Sequence, residues 1–220
     1  MMKKLYICGD STAASYDPKE SLMVGWGQVI GGLLKDVTVE NHAKAGRSTR
    51  TFLEEGRLQA LDGLIGPGDL LLVQFAHNDE NEKKPERYVA PWTGYTENLR
   101  VFADFARERG ASPVFLTPIC MRVWENGVLR ETHGEYPEAM RVQAEKLGVP
   151  LIDVYRESFQ LVAQAGEEGS KAFFMHVKPG EDERYPGGLS DNAHTRRAGA
   201  EAFARCVADG LIRLGLAKGF

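Results

Sequence analysis

Five short apolar runs recur along the chain: Leu5 to Cys8, Val37 to Val39, Leu70 to Phe75, Val114 to Leu116 and Val149 to Ile152. Runs this short, without regular alternation of apolar and polar residues, read as strands covered on both faces. Helical spacing fills the intervals. From Thr96 to Arg109, the residues Leu99, Phe102, Ala103 and Ala106 share one face, and Gly110 stands where a helix would end. Tyr136 to Leu147 repeats the design with Pro137 in its first turn and Gly148 after its end, and a last helix is expected from about Thr195 to Leu214. Strand and helix in alternation imply parallel strands with helices on both faces. The expected fold is therefore α/β, a three-layer α/β/α arrangement around a flavodoxin-like five-stranded parallel sheet of order 2-1-3-4-5. No internal repeat and no Pro/Gly/Ser linker interrupts residues 1–220, which are expected to form a single domain. Asn78 to Trp92, Thr117 to Glu135 and Met175 to Ser190 read as long irregular connections, the kind of segment that carries function.

Charge and cysteine content narrow the classes of partner. A net charge of −4 offers no basic face for nucleic acid or for an anionic membrane surface. The start, Met1-Met2-Lys3-Lys4-Leu5-Tyr6-Ile7-Cys8, is too short in apolar residues for a secretory signal or a spanning helix, so a cytoplasmic protein is expected. Cys8, Cys120 and Cys206 are odd in number and widely spaced, with no CxxC pair, and read as reduced packing residues rather than metal ligands.

Ser11 follows the first strand directly through Gly9 and Asp10, which brings it to the carboxyl edge of the sheet, where open α/β folds bind ligands. Alone, Asp10, Ser11 and Thr12 are equally good turn and cap residues. Near the far end, Ser190-Asp191-Asn192-Ala193-His194 sets a carboxylate three residues from an imidazole, close enough for one turn to hold both. A serine hydroxyl becomes a strong nucleophile when a base takes its proton, and a carboxylate fixes that base's tautomer. Asp191 as a plain helix cap and His194 as a solvated residue is the competing reading. Two further segments end at the same sheet edge: Asn41 to Ser48, containing Gly46, and Phe75 to Asp79, containing Asn78. In the order 2-1-3-4-5 they flank Ser11. There a glycine N–H and an uncharged amide would suit a developing oxyanion, although each residue also suits an ordinary turn or cap.

Together these four blocks resemble those of the SGNH (GDSL-type) hydrolases: Gly9-Asp10-Ser11-Thr12, Gly46, Asn78 in His77-Asn78-Asp79, and Asp191 with His194. The first block departs from many relatives, which have leucine at the position of Thr12. That variant, with Ala13-Ala14, Gly46-Arg47-Ser48 and Ala198-Gly199-Ala200, is most similar to the rhamnogalacturonan acetylesterase branch. The resemblance implies a catalytic triad of Ser11, Asp191 and His194 and an oxyanion hole formed by Ser11, Gly46 and Asn78. It implies a carboxylic ester hydrolase that removes O-acetyl groups from pectin-derived oligosaccharides through an acyl-enzyme, with no cofactor and no metal. Alternatives are an acetylesterase acting on xylan or another oligosaccharide, a short-chain lipase or thioesterase, or, in a different class, a flavodoxin-like module holding a phosphate ligand. The acidic residue after Gly9 argues against the last.

Arg47, His77, Trp124, His133 and Tyr185 are the candidate substrate-binding residues, since aromatic faces stack on sugar rings and guanidinium groups pair with carboxylates. His42 and His176 read as structural or exposed, and Asp153 as the cap of a following helix. Asp79, Glu80 and Glu82 read as a solvated acidic loop.

Overall fold

The central strand, β1 (Lys3–Gly9), is buried from Leu5 onward. It pairs in parallel with β2 (Val37–Asn41) on one side and β3 (Leu70–Gln74) on the other. β4 (Ser112–Leu116) continues the parallel sheet beside β3, and β5 (Leu151–Ile152) closes it. The spatial order is thus 2-1-3-4-5, as the strand and helix alternation led one to expect. The structure is a computed structural model that describes residues 3–220. Met1 and Met2, which open the segment read as too short for a secretory signal, lie outside the described residues. No helix among the described residues is long and apolar enough to cross a membrane.

Period-two alternation divides the core. Tyr6, Cys8, Leu71, Val73 and Phe115 point to one face of the sheet, and Leu5, Ile7, Leu70, Leu72, Val114 and Leu116 to the other. Over the first face pack α2 (Thr49–Glu54), α3 (Thr96–Glu108) and α4 (Tyr136–Leu147); over the second, α1 (Trp26–Val29), α5 (Val154–Gly169) and α6 (Arg197–Arg213). Phe52, Phe75 and Phe102 form a ring cluster on the first face with centroids 5.3–5.8 Å apart. Burying each such side chain contributes about 1.5–3 kcal/mol.

Local chemistry sets the element ends. Ser48 caps α2 through a reciprocal box with Thr51, Asp153 caps α5 by accepting from Arg156 N at 3.3 Å, and Gly148 ends α4 in the left-handed region at φ 60°. The three cysteines are buried free thiols, and burial raises the pKa of each.

Two expectations are corrected near the end of the chain. Met175 to Ser190 is not irregular throughout: β6 (Phe174–Val177) pairs antiparallel with β7 (Leu189–Thr195). The last helix consequently starts at Arg197 rather than Thr195, because Thr195 is held in the strand by bonds to Val24. α6 approaches the backbone of Phe173 so closely that a Cβ on Gly199 would lie 2.1 Å from the Phe173 carbonyl oxygen.

Candidate active site at the carboxyl edge of the sheet

The chain leaves β1 and turns at once. Ala14 N donates to the Asp10 carbonyl at 3.1 Å, and the Asp10 carboxylate accepts from Thr12 N and Thr12 Oγ1, both at 2.9 Å. Ser11 sits inside this self-bonded turn, and Tyr16 Oη donates to its carbonyl at 2.8 Å. Beneath the turn, Trp26 Nε1 donates to Gln74 Oε1 at 2.6 Å, and Gln74 Nε2 donates to Thr117 O at 3.0 Å. These fully buried bonds brace α1 and the ends of β3 and β4 against one another.

Asp191 and His194 lie in a bulge of the β6–β7 hairpin. Ser190 pairs with His176 and Thr195 with Phe174, so the four residues Asp191 to His194 stand opposite Met175 alone. The bulge is closed by the Asp191 carboxylate: Oδ1 accepts from Ala193 N at 2.8 Å and His194 N at 3.0 Å, while Oδ2 bonds His194 Nδ1 at 2.7 Å. Burial would raise this carboxyl, but the imidazole and the two backbone donors outweigh it and lower the pKa to about 2. Asp191 is therefore anionic at neutral pH. Its bond to Nδ1 leaves Nε2 as the ring nitrogen not committed to Asp191.

Arg122 secures the bulge from behind. It is almost wholly buried, with Nε on Ser170 Oγ at 3.0 Å, Nη1 on Asn192 Oδ1 at 3.2 Å and Nη2 on the Glu167 carbonyl, while its backbone N donates to Asn192 O at 2.8 Å. His176 Nε2 bonds Asn192 Oδ1 at 2.9 Å. Arg122 thus anchors Asn192, one of the two residues between Asp191 and His194, a role its sequence position did not reveal.

Three residues tie the serine turn to the histidine strand. Val24 N donates to Thr195 O at 2.9 Å, Thr195 Oγ1 donates to Val24 O at 2.6 Å, and Trp26 N donates to Thr12 O at 3.0 Å. The residue after Ser11 and the residue after His194 are thereby fixed to one short segment. Gly25 is required between them, since a Cβ there would lie 2.2 Å from Ala14 O.

Gly46 and Asn78 converge at the same edge. Lys44 N donates to Gly9 O at 2.9 Å, extending the β1–β2 ladder beyond the strand ends, and Gly46 follows at φ +79°. Asn78 Nδ2 donates to Arg47 O at 3.1 Å, and Asn78 Oδ1 accepts from Arg87 Nη1 at 3.4 Å. A guanidinium can only donate and a carbonyl only accept, so these partners set the amide's orientation and leave one Nδ2–H free.

The candidate substrate residues have mixed environments. His77 is buried, with Nδ1 3.4 Å from Asp10 Oδ2. Burial lowers the His77 pKa, but the carboxylates of Asp10, Glu80 and Asp79 together outweigh this and raise it; burial likewise opposes ionisation of Asp10, which His77 and Thr12 hold below its usual value. His77 also lines a cleft of about 730 Å³ with Glu80, Glu82, Lys83, His133 and Tyr136. His133 forms part of that wall, but its ring nitrogens are engaged by Glu80 Oε2 and Ile119 O, both at 2.9 Å, so it does not present a free donor. Arg47 is likewise occupied: Glu55 binds its Nε with both oxygens at 3.0 Å, and Nη1 donates to Ala45 O. Trp124 is partly buried, packed against the second core face with its indole N–H enclosed. Tyr185 is half-buried, its hydroxyl 3.2 Å from Ser21 Oγ. Trp92 is 45% exposed, with Nε1 donating to Glu135 at 2.8 Å. The acidic loop is not uniformly solvated: Asp79 is buried on Thr49 N and Oγ1, and burial pushes its pKa up to about 7.

Comparison with known proteins supplies the family. The rhamnogalacturonan acetylesterase RhgT of Bacillus subtilis (strain 168) is 46% identical over 98% of this chain and 94% of its own length. Among solved structures, the Bacillus subtilis protein YxiM superposes with a TM-score of 0.83 at 28% identity, covering 100% of this chain and 58% of that one. An acetylxylan esterase from Geobacillus stearothermophilus shares the fold at a TM-score of 0.67 and 14% identity, over 95% of this chain and 94% of its own. The GDSL-like lipase/acylhydrolase family model matches residues 7–202, which span the serine turn, both candidate oxyanion donors and the acid–imidazole bulge: this chain belongs to that family of carboxylic ester hydrolases.

Proposed function

We propose that the protein is a serine acetylesterase acting on pectin-derived, rhamnogalacturonan-type oligosaccharides, with Ser11 as nucleophile, His194 as general base and Asp191 as its orienting carboxylate. The observation that carries this reading is the 2.7 Å bond between Asp191 and His194 Nδ1, in a bulge tied through Val24–Trp26 to the serine turn. The substrate follows from the 46% identity to a rhamnogalacturonan acetylesterase over nearly the whole of both chains.

In this reading, His194 Nε2 takes the Ser11 proton as Oγ attacks the acetyl carbonyl. The carbonyl electrons move to oxygen, where the Ser11 and Gly46 N–H groups and the free Asn78 amide hydrogen receive the charge. Collapse expels the sugar oxygen, which takes the proton from His194. Water then gives a proton to His194 and attacks the acyl-enzyme, releasing acetate and returning the proton to Ser11. The test is acetate release from acetylated pectin fragments, with acetylated xylo-oligosaccharides and longer acyl esters as comparators. Pectin fragments should be preferred, a fluorophosphonate should label Ser11, and Ser11→Ala should lower kcat by roughly 10⁶. Near wild-type hydrolysis by folded Ser11→Ala protein would overturn the assignment.

A further inference from the structure

Arg87 lies beside both candidate oxyanion donors, Gly46 and Asn78. Its Nη1 donates to Asn78 Oδ1 at 3.4 Å, and a Cβ built on Gly46 would meet the same Nη1 at 3.5 Å and Cζ and Nη2 at 3.8 Å. The guanidinium therefore stands over both groups at once. Its acidic neighbour is Glu86, 3.8 Å from Nε and 63% exposed, a long and solvated contact that leaves the positive charge available. Other arginines around the site are committed: Arg47 to Glu55, Arg184 to Asp182, and Arg122 to its buried bonds with Ser170, Asn192 and Glu167.

Arg87 ends a short basic loop. Lys83 and Lys84 are exposed, and Lys83 lines the same cleft as His77. Of the nearby carboxylates, Glu80 is held by His133, Asp79 is buried on Thr49, and Glu82 lies exposed on the cleft. Arg87, whose acidic neighbour is the distant and solvated Glu86, is suited to an anionic substrate beside the acyl site. Of the five N–H donors of the Arg87 fork, one is given to Asn78, and the rest of the fork can grip a planar carboxylate.

We propose that Arg87 is a specificity-determining residue that binds the carboxylate of an acidic sugar, a uronate, while that sugar's acetyl group lies against Gly46 and Asn78. The inference rests on the acetylesterase reading and adds the residue that reads substrate charge. The test uses two substrates that differ at the carboxylate: an acetylated rhamnogalacturonan oligosaccharide and the same oligosaccharide with its carboxylates methyl-esterified. The wild-type protein should favour the acid in kcat/KM by roughly tenfold, mainly through KM, and the preference should shrink at high salt. Arg87→Gln should bring the ratio close to one, and Arg87→Lys should retain part of it. Because the ratio is read within each variant, a general loss of activity cancels. An unselective wild type, an Arg87→Gln variant that keeps the preference, or a wild-type preference indifferent to salt would overturn the proposal. Wild-type protein that hydrolyses neither acetyl ester would overturn the acetylesterase reading itself, and this inference with it.

Discussion

Replacing Asp191 by asparagine separates charge from shape at the acid–imidazole pair. The imidazole, Ala193 N and His194 N together hold Asp191 as its anion with a pKa of about 2, and a hydrogen bond between charged groups contributes about 2 kcal/mol. The Asp191 side chain is 26% exposed, so most of that interaction escapes solvent screening. Loss of about 2 kcal/mol in the transition state, where His194 carries a proton, corresponds to roughly 30-fold in rate. A second loss adds to it. The asparagine carbonyl can still accept from Ala193 N and His194 N, which keeps the bulge closed, but its NH₂ then faces Nδ1 and favours the tautomer protonated at Nε2. That tautomer cannot take the Ser11 proton. The combined expectation is a fall in kcat of about 10³–10⁴, with the thermal midpoint nearly unchanged. Steady-state hydrolysis of 4-nitrophenyl acetate at neutral pH, beside a melting curve, measures both. An Asp191→Asn protein whose kcat stays within about tenfold of wild type would refute the account of His194 activation.

Three further outcomes are expected. Asn78→Ala removes the amide donor and should lower kcat by about 10²–10³ with little change in KM, measured on the same ester. Gly25→Ala drives a methyl group to 2.2 Å from Ala14 O in the segment joining Ser11 to His194; it should cost about 2–3 kcal/mol in denaturant unfolding and reduce kcat, whereas Gly32→Ala, which meets nothing within 4 Å, serves as a neutral control. Asp79 has a folded-state pKa of about 7, above the 3.8 of an unfolded chain, so its contribution to stability is fully present below about pH 4 and is lost as pH rises through 7. Asp79→Asn should remove that dependence, and its melting temperature should gain on wild type between pH 4 and 8.

Much of this protein is legible along the chain because its determinants are local. The runs Leu5 to Cys8 and Leu70 to Phe75 state by length and apolarity that they are covered strands, and Gly110 and Gly148 end their helices through the left-handed backbone that glycine tolerates. Ser11, Gly46 and Asn78 were visible because each follows a strand of the sheet, whose order brings those ends together, and Asp191 and His194 because one short segment carries both.

The supporting residues were decided by the tertiary structure. Nothing local distinguishes Arg122, buried beneath Asn192, from Arg47, which Glu55 neutralises, or from Arg87, which stands over Gly46 and Asn78. Trp124 and Trp92 look alike as loop tryptophans until packing sets one partly against the core and leaves the other exposed. The bulge holding Asp191 and His194 depends on β6, and the link from Thr195 to Thr12 depends on Val24–Trp26, more than 160 residues away from the histidine. Periodicity and turn chemistry act over a few residues and so can be read in sequence. Which charges are neutralised, which rings are covered and how firmly the serine is held to its base depend on partners brought together only by folding.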